Sequence, residues 1–545
     1  MTIGEKITHL RVVNNISQDE LAKMMGVSRQ SLSKWENDES LPQLDNIKQL
    51  CEIFNISADE LIDDKIVIHR GKKLKMSIGE DIKTKYFGTD GFRGEANKVL
   101  TCDHAYKIGR FLGWFYGEPK YSGQKPGYRP KVVIGKDTRR SSYMLEYAVA
   151  AGLAASGADV ELLHVTTTPS VSYIVRQDGF DCGVMITASH NPFYDNGIKV
   201  INASGEKLED AVAFLAEAYI DGDFKTLEIE GKDLPFADKD KIGTINDYSS
   251  GRNRYIGYLI SVAKHSMKSL KIGLDTANGA SWMIAKSVFD ALGAQTFIIN
   301  NEPDGLNINV NAGSTHIENL CKFVKDNKLD VGFAFDGDAD RCIAVDENGK
   351  EVDGDKIMYM LACKLKSEGA LEKDTLVTTI MSNSGLTKAL KAIGIKNVQT
   401  KVGDRFVFEK MQEEGYSLGG EQSGHIIIKK YATTGDGVLT AIQVVEEMLN
   451  RKQPLSKLVA PVKLLPQKLK NVRVTNKAAV VEDEAVKAKF AEVNEEIGDN
   501  GRALLRQSGT EPVVRIMLEC PTLEECDKYI EKIYNVIKKR GFVCE

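Results

Sequence analysis

The sequence lacks most features that mark exported, membrane-bound or strongly basic proteins. Its nine cysteines are an odd number and include no C-x-x-C pair, which argues against a disulfide framework and a zinc ribbon. No apolar run reaches the length of about eighteen residues that predicts a membrane span. The N-terminal stretch MTIGEKITHL has too few consecutive apolar residues for a signal peptide. The net charge of −5 excludes a polycation built for nucleic acid. We therefore expect a cytoplasmic protein with reduced thiols and no membrane partner.

The sequence is too long for one hydrophobic core and changes character along its length. A chain of 545 residues is expected to form several domains. Residues 1–64 have a helical pattern, and residues 65–84 form a charged, locally basic linker. After the linker, short apolar runs alternate with helical stretches and end in glycine-rich polar turns, which is typical of α/β domains. The sequence thus predicts a small all-α head followed by a large α/β region.

The head is predicted to contain five helices. The stretch SQDE (17–20) has the S-x-x-E spacing of a capping box, and Ser28 can cap the following helix through Glu36. Leu32 and Trp35 would lie on the buried side of that helix. The predicted helices cover about residues 4–14, 17–24, 28–36, 44–54 and 57–62.

A serine stands beside a histidine in the turn TASHNP (187–192). Adjacent side chains diverge, and the G-x-S-x-G elbow of α/β hydrolases is absent at this turn, so a serine hydrolase is not favoured. A polar turn capped by Ser189 is the simplest interpretation of the turn alone. The loops described next favour a chemical role for Ser189 over this interpretation.

Three aspartates follow an apolar strand in FDGDADR (335–341). Asp336, Asp338 and Asp340 alternate along the turn, so their carboxylates can point the same way. Like charges this close need a neutralising partner, and hard oxygen ligands suit Mg²⁺. A solvated acidic turn is the alternative. The stretch therefore predicts a magnesium site when it is considered with the other loops.

Two further loops have the composition of a phosphosugar site. GEQSGH (420–425) offers a carboxylate, an amide, a hydroxyl and an imidazole, which suit sugar hydroxyls. RQSGTEPVVR (506–515) places two arginines and two hydroxyls around a turn, as a phosphate cradle requires. Either stretch alone could be an ordinary surface turn. Together with the serine and the metal loop, they predict phosphoryl transfer on a phosphosugar.

These motifs, preceded by KYFGTDGFRG (85–94), give the chain a family resemblance. From about residue 85 to residue 543 it resembles the α-D-phosphohexomutases, and the motifs stand in the family's order. GEQSGH, followed by YATTGDG (431–437), resembles the sugar loop of the family. The glutamine of GEQSGH and the stretch KVGDRFV (401–407) are similar to the branch that acts on glucosamine phosphates. No catalytic motif is broken.

The resemblance implies a fold and an activity. It implies three similar α/β domains at 85–248, 249–354 and 355–464, and a smaller α+β domain at 465–545. It also implies interconversion of glucosamine 6-phosphate and glucosamine 1-phosphate through a bisphosphorylated sugar, a step that feeds UDP-N-acetylglucosamine and peptidoglycan. Phosphoglucomutase or phosphomannomutase activity is the alternative within the family.

The resemblance also assigns roles to residues of this chain. Ser189 would be phosphorylated, primed by a hexosamine or hexose 1,6-bisphosphate or by a kinase. One Mg²⁺ per active site would be held by Asp336, Asp338, Asp340 and the phosphoserine. Arg93 and Arg341 would lie near the transferring phosphoryl group, and His190 and Lys199 would transfer protons. Glu421, Ser423 and His425 would bind the sugar. The residues that would hold the non-reacting phosphate are Arg506, Ser508, Gly509, Thr510 and Arg515.

The head resembles the Xre/Cro-type helix-turn-helix domains over about sixty residues. This implies that the head binds operator DNA as a dimer on paired half-sites. A homodimer of the chain is therefore one possible oligomeric state. Residues 1–65 nevertheless hold seven Lys and Arg against twelve Asp and Glu, a net charge of −5, so non-specific DNA affinity should be small. A protein–protein contact or dimerisation module is the alternative. The residues implied in DNA contact are Gln18, Ser28, Arg29, Gln30, Ser31 and Lys34.

Two hypotheses cover the whole chain. In the first, a working enzyme carries a regulatory head. In the second, a sugar-phosphate-sensing transcriptional regulator keeps a mutase fold as its sensor. The intact serine, aspartate and arginine motifs favour the first. Met76, within the linker, could also serve as a second start and yield an enzyme without the head.

Overall fold

A computed structural model describes residues 2–13, 16–54, 56, 58–62, 84–229, 231, 233–507 and 512–544. These residues fall into two compact units. The first unit runs up to Cys342 and also includes Tyr431–Thr440, and the second contains Ile343–Lys430 and the residues from Ala441 onward. Across the described ranges, no helix is both long and apolar enough to cross a membrane.

The head is a five-helix bundle, as predicted. Its helices surround a core that includes Ile7, Leu21, Leu32 and Trp35. Both halves of the predicted capping box form, because the Ser17 hydroxyl accepts from the Glu20 N–H and the Glu20 carboxylate accepts from the Ser17 N–H. The predicted helix limits at residues 14 and 57 lie outside the described residues. The helices are α1 Ile3–Val13, α2 Gln18–Met24, α3 Arg29–Glu36, α4 Leu44–Phe54 and α5 Ala58–Ile62.

A seven-stranded sheet follows the linker, in the order β1-β2-β6-β5-β3-β4-β7. Strands β5, β3, β4 and β7 are parallel, whereas β2 and β6 are antiparallel to their neighbours. Strand β5 is buried along its whole length, which explains its continuous apolar run. The strands are β1 Phe87–Gly88, β2 Gly91–Glu95, β3 Lys131–Lys136, β4 Asp159–Val165, β5 Cys182–Ile186, β6 Asp195–Asn202 and β7 Ile245–Asp247, and the helices are α6 Cys102–Gly117, α7 Pro119–Ser122, α8 Arg140–Ala155, α9 Thr168–Asp178, α10 Asp210–Asp221 and α11 Ser249–Val262.

The next α/β segment is built on three parallel strands in the order β9-β8-β10. Strand β10 is fully buried and ends at Phe335, so the aspartate loop leaves its carboxyl end. Loops at the carboxyl ends of parallel strands are where α/β domains bind ligands. The strands are β8 Lys271–Asp275, β9 Gln295–Ile299 and β10 Val331–Phe335, and the helices are α12 Ile284–Ala291 and α13 Glu318–Asn327.

The second unit begins with an antiparallel pair and continues with a four-stranded sheet in the order β14-β13-β15-β16. Strands β15 and β16 pair in antiparallel fashion around the sugar loop. Residues 431–440, assigned by sequence to the third mutase domain, pack with the first unit. The strands are β11 Cys342–Val345, β12 Glu351–Val352, β13 Thr375–Thr379, β14 Lys396–Thr400, β15 Leu418–Gly420 and β16 Ile426–Ile428, and the helices are α14 Gly354–Ser367, α15 Ser384–Ala392, α16 Asp404–Glu414, α17 Gly437–Arg451 and α18 Leu455–Leu458.

The C-terminal part of the second unit is an antiparallel sheet in the order β17-β19-β18, covered by helices. Val514, Ile516 and Leu518 of β19 pack with Ile530 and Ile533 of the last helix in one core. The predicted class, a helical head followed by α/β domains and a smaller α+β domain, is confirmed. The strands are β17 Gln467–Arg473, β18 Arg502–Gln507 and β19 Val513–Glu519, and the helices are α19 Lys477–Glu482, α20 Glu484–Ile497 and α21 Leu523–Lys539.

Candidate active site

Ser189 lies in a tight buried turn after β5. Its backbone has φ +50°, a left-handed conformation that non-glycine residues seldom adopt. Its N–H donates to the Thr187 hydroxyl at 2.9 Å, and its own hydroxyl donates to Asp336 Oδ2 at 2.5 Å. The serine is therefore aimed at the aspartate loop and 1 % exposed.

Two side chains that the motifs did not single out hold this turn in place. The fully buried guanidinium of Arg139 donates to the carbonyls of Ser189 and Asn191, each at 2.9 Å, and to the carboxylate of Asp137 at 2.8 Å. The Asn309 amide donates to the same two carbonyls at 2.9 and 3.1 Å. Because several donors converge on the Ser189 carbonyl, its unusual backbone conformation is strongly fixed.

The three aspartates of the metal loop converge as predicted. Oxygens of Asp336, Asp338 and Asp340 all lie within 4.8 Å of one another, and all three residues are buried. Burial, and next the nearby charges of Asp340 and Asp338, raise the pKa of Asp336 well above its usual range. Ala339 takes φ +56° at the turn, which lets the alternate side chains face the same way.

This cluster fits a divalent cation. The Oδ1 atom of Asp338 is buried and has no hydrogen-bond partner among the described residues. The other oxygen of Asp338 accepts from the Thr168 hydroxyl at 2.5 Å. Three buried carboxylates beside a hydroxyl form the hard-oxygen set that Mg²⁺ prefers. Asp336, Asp338, Asp340 and Ser189 would hold the ion.

Lys199 provides positive charge beside these carboxylates. Its Nζ lies 2.8 Å from Asp338, 3.4 Å from Asp340 and 3.3 Å from Asp90. Burial opposes protonation of Lys199, but the carboxylates of Asp338, Asp90 and Asp340 raise its pKa above the usual range. Asp90 also pairs with Arg93, so both predicted cations, Lys199 and Arg93, meet on one carboxylate that was not predicted.

His190 and Arg341 lie on the other side of the serine. His190 Nδ1 is 3.5 Å from Ser189 Oγ and 3.3 Å from the Arg341 guanidinium. Burial, followed by the charges of Arg341 and Arg93, lowers the pKa of His190 to about 4. The backbone N–H of Arg341 donates to Asp336 Oδ1 at 3.2 Å. The four other predicted catalytic residues, His190, Arg341, Lys199 and Arg93, therefore lie around the pair formed by Ser189 and the aspartate cluster.

The sugar loop is organised within the second unit. Glu421 Oε1 accepts from the Gly403 N–H and Oε2 accepts from the Ser423 hydroxyl, each at 3.2 Å. His425 is buried, and its Nε2 lies 3.4 Å from Asp404. The stretch KVGDRFV thus supplies groups that orient the loop. Glu421 and Ser423 are partly exposed, so a sugar can reach both side chains.

The predicted phosphate loop begins and ends on paired strands. Arg506 of β18 lies directly opposite Arg515 of β19. Burial and the charge of Arg515 lower the pKa of Arg506. Two adjacent guanidiniums repel, so an anion between them would be stabilising. Ser508, Gly509 and Thr510 lie outside the described residues.

In the head, the predicted DNA contacts divide into two groups. The Ser28 hydroxyl accepts from the Ser31 backbone N–H at 3.1 Å, which caps α3, and it lies 2.9 Å from the Ser31 hydroxyl. Gln18 donates to Glu36 at 2.5 Å, so the side chains of Gln18, Ser28 and Ser31 already have partners. Arg29, Gln30 and Lys34 are exposed. Arg29 forms an exposed ion pair with Asp19 at 3.4 Å.

Family profiles match almost the whole chain. Four belong to phosphoglucomutase/phosphomannomutase: α/β/α domain I at residues 84–226, α/β/α domain II at 253–349, α/β/α domain III at 353–464 and the C-terminal domain at 469–536. A helix-turn-helix profile matches residues 10–61.

Two curated relatives are the phosphoglucosamine mutases of Lachnospira eligens and Lachnoclostridium phytofermentans. Each is 56 % identical, and the alignments cover 84 % of this chain and 99 % of the relative. The chain belongs to the phosphoglucosamine mutases of the phosphoglucomutase/phosphomannomutase family. It is therefore a mutase, an enzyme of the isomerase class with a phosphosugar substrate.

Solved structures agree on the fold. A phosphoglucomutase/phosphomannomutase family protein from Burkholderia thailandensis matches with a TM-score of 0.68 and 24 % identity, covering 84 % of this chain and 98 % of that one. The N-acetylphosphoglucosamine mutase of Aspergillus fumigatus, solved with GlcNAc-6P and magnesium, matches with a TM-score of 0.60 and 17 % identity, covering 84 % and 96 %. The family works with Mg²⁺ and an active-site phosphoserine, and the three clustered aspartates of this mutase are suited to the metal.

Four residues of this site were not predicted as site residues. They are Asp90, Arg139, Thr168 and Asn309, which bond Lys199, Ser189 and Asp338. Asp90 lies inside the motif KYFGTDGFRG, and Arg139 stands three residues after the end of β3, so both lie close to features that are visible in the sequence. Thr168 and Asn309 are far from any motif, and only the fold brings them to the site.

Proposed function

We propose that this mutase interconverts glucosamine 6-phosphate and glucosamine 1-phosphate. The observation that supports the proposal most is the Ser189 hydroxyl, fixed 2.5 Å from Asp336 among three buried carboxylates. A serine held there can carry a phosphoryl group beside a metal. The high identity to phosphoglucosamine mutases supports glucosamine as the sugar.

The transfer proceeds in two balanced halves. The Oγ–P bond of phosphorylated Ser189 breaks while the free sugar hydroxyl forms a new P–O bond. The hydroxyl proton passes to neutral His190, and the leaving Ser189 Oγ takes a proton from Lys199, which its carboxylate neighbours keep protonated. The bisphosphorylated sugar turns around, and its other phosphoryl group returns to Ser189 Oγ. Mg²⁺ supplies charge stabilisation to the transferring group when bound. Arg93 and Arg341 add positive charge at the same place.

The remaining predicted residues fix the substrate. Glu421, Ser423 and His425 hold the sugar, and Arg506 and Arg515, with the predicted Ser508, Gly509 and Thr510, hold the phosphate that does not react. Anchoring the second phosphate selects which hydroxyl faces Ser189. We propose these roles for the four loops, in domains with the predicted boundaries.

The deciding experiment is formation of glucosamine 1-phosphate from glucosamine 6-phosphate by the purified full chain, primed with a hexose 1,6-bisphosphate. A parallel kcat/KM for glucose 6-phosphate and mannose 6-phosphate tests the two alternative sugars. We expect the glucosamine substrate to have the highest value. A higher value for glucose or mannose phosphate would reassign the substrate.

A second proposal concerns the head, which we propose binds operator DNA as a dimer. The helix-turn-helix match at 10–61 and the exposure of Arg29, Gln30 and Lys34 support it. Gel shifts of the full chain, with and without glucosamine 6-phosphate, test both DNA binding and its coupling to substrate. Absence of a sequence-specific shift would favour a protein–protein module. A shift from a chain with no mutase activity would favour the sugar-phosphate-sensing regulator.

We further propose a cytoplasmic location, where these substrates would occur.

A further inference from the structure

The two loops assigned to one phosphosugar in the second unit are far apart in sequence and belong to different sheets. The sugar loop lies between β15 and β16, and the paired arginines lie on β18 and β19. If one substrate engages both, the bound state requires a defined distance between the two loops. This requirement rests on the proposed function, and the structure contains a connection that meets it.

The connection begins beneath the sugar loop, at the N-terminus of α14. The Gly354 N–H donates to the Gln422 carbonyl at 3.0 Å. A Cβ atom on Gly354 would stand 2.2 Å from the Glu421 carbonyl oxygen, so only glycine permits this approach. The next residue, Asp355, is fully buried, and its Oδ2 accepts from the Asn383 N–H at 2.6 Å.

Asn383 carries the connection to the chain segment that links the two sheets. Its amide nitrogen donates to the Leu465 carbonyl at 2.9 Å, and its amide oxygen accepts from the Leu465 N–H at 3.0 Å. The same oxygen accepts from the Gly385 N–H at 2.9 Å and caps α15. The buried Asn383 side chain therefore holds both the backbone N–H and the carbonyl of Leu465, and it also caps the N-terminus of α15.

An ion pair of the C-terminal sheet completes the connection. Glu519 is fully buried and receives two hydrogen bonds from the Arg502 guanidinium, at 3.1 and 2.7 Å. Its Oε2 also accepts from the Ser384 N–H at 3.0 Å, while Arg502 donates to the Ser382 carbonyl at 2.5 Å. Both partners of the pair thus bind the backbone on either side of Asn383.

The ion pair and the arginine pair stand on the same two strands. Arg502 is opposite Glu519, and Arg506 is opposite Arg515 four residues along β18. Four residues of extended strand correspond to about 13 Å. The strands therefore act as a rigid arm between the anchored end and the phosphate-binding end.

We propose that Asp355, Asn383, Arg502 and Glu519, the domain bridge, are positioning residues that set the spacing between the sugar loop and the paired arginines. The bridge does not touch substrate. It lets one phosphosugar engage both loops without first ordering one sheet against the other, a step that would weaken binding.

The test measures two ligands on the full chain carrying Glu519→Gln. Calorimetry gives the dissociation constants of glucosamine 6-phosphate, which needs both loops, and of inorganic phosphate, which needs only the arginines. An Arg506→Ala chain identifies the part of the phosphate signal that comes from the arginine pair. We expect the phosphosugar to bind about tenfold more weakly while phosphate affinity is unchanged, with KM rising more than kcat falls.

Asp527→Asn is the matched control, since its 2.6 Å ion pair with Lys468 lies in the same sheet domain but outside the bridge. Arg502→Lys is a second variant in case removal of a buried charge prevents folding, because it keeps the charge and loses the forked geometry. We expect a smaller loss of the same kind. An equal loss for both ligands, or no loss for either, would overturn the bridge. Wild-type chain that binds phosphate but neither binds nor converts glucosamine 6-phosphate would instead overturn the proposed function.

Discussion

The serine–aspartate site and helix α3 of the head, which carries the predicted DNA contacts, present their polar groups in opposite ways. Ser189, Asp336 and Asp338 are at most 1 % exposed, and their positions are fixed by hydrogen bonds from other loops. Arg29, Gln30 and Lys34 of the head are exposed. The first arrangement is built before its ligand arrives, whereas the side chains of the second lie in solvent.

The charge of the two regions differs as well. Residues 1–65 carry a net charge of −5, equal to that of the whole chain, so the remainder is electrically neutral overall. The mutase part buries a small cluster of charges at the serine–aspartate site, where a low dielectric strengthens their interactions. The head has an unfavourable overall charge for DNA and must rely on a few well-placed contacts. Changes in the buried site should therefore have large effects on turnover, and changes in the head smaller effects on affinity.

The largest effect is expected for Ser189→Ala. Without the hydroxyl there is no phosphoryl carrier, so turnover of glucosamine 6-phosphate should fall by about 10³-fold or more. The measurement is a coupled assay together with phosphate content by mass spectrometry. Ser261→Ala, which removes an exposed hydroxyl bonded only to a nearby carbonyl, is the control. Residual turnover near the wild-type rate would contradict the phosphoserine mechanism, and DNA binding should be the same in both variants.

A second prediction separates positioning from chemistry within the buried site. Arg139→Lys keeps the charge but loses the fork that holds the Ser189 and Asn191 carbonyls. Since misplacing a reacting group by about 1 Å costs on the order of 10²-fold, kcat should fall by about that factor with little change in KM. The neighbouring exposed Arg140→Lys is the matched control. Equal behaviour of the two variants would show that the turn does not need this clamp.

The head should respond more mildly and in a different assay. Arg29→Ala removes one base contact, which corresponds to about 1–3 kcal/mol, or on the order of a tenfold loss of operator affinity. The probe is a DNA sequence selected from a random pool on the full chain, titrated by fluorescence anisotropy. Lys48→Ala removes the same charge from α4 instead of the reading helix and should have less effect. A fall in mutase turnover with Arg29→Ala would contradict the expectation that the head and the mutase part act independently.

Sequence patterns were sufficient where a function depends on residues close together in the chain. The five helices of the head followed from capping residues and apolar spacing, and Asp336, Asp338 and Asp340 cluster because alternate residues of an extended turn point the same way. The clamp on Ser189 could not be predicted in this way, because Asn309 is 120 residues away from it in sequence. Only strand order brings the two together.

The sequence also could not show which charged groups are buried. Asp355 stands at the start of an ordinary amphipathic helix, and nothing in its local pattern distinguishes it from an exposed first-turn aspartate. Its burial follows from the packing of α14 against residues 382–384, a long-range contact. Groups of this kind make the stability of the mutase part depend on pH.

Burial and the nearby charge of Asp353 raise the pKa of Asp355 to about 8, against 3.8 for an ordinary aspartate. Between these two values the folded chain keeps a proton that the unfolded chain has lost, so the free energy of unfolding falls as pH rises and levels off above pH 8. Asp355→Asn cannot ionise and should escape this loss. The thermal midpoint of the variant should therefore rise relative to wild type from pH 5 to pH 8, by about 2–4 °C for each kcal/mol recovered. Scanning calorimetry at both pH values, with Asp527→Asn as the exposed control, measures the difference. A constant difference between Asp355→Asn and wild type would mean that Asp355 is ionised in the folded chain throughout this range.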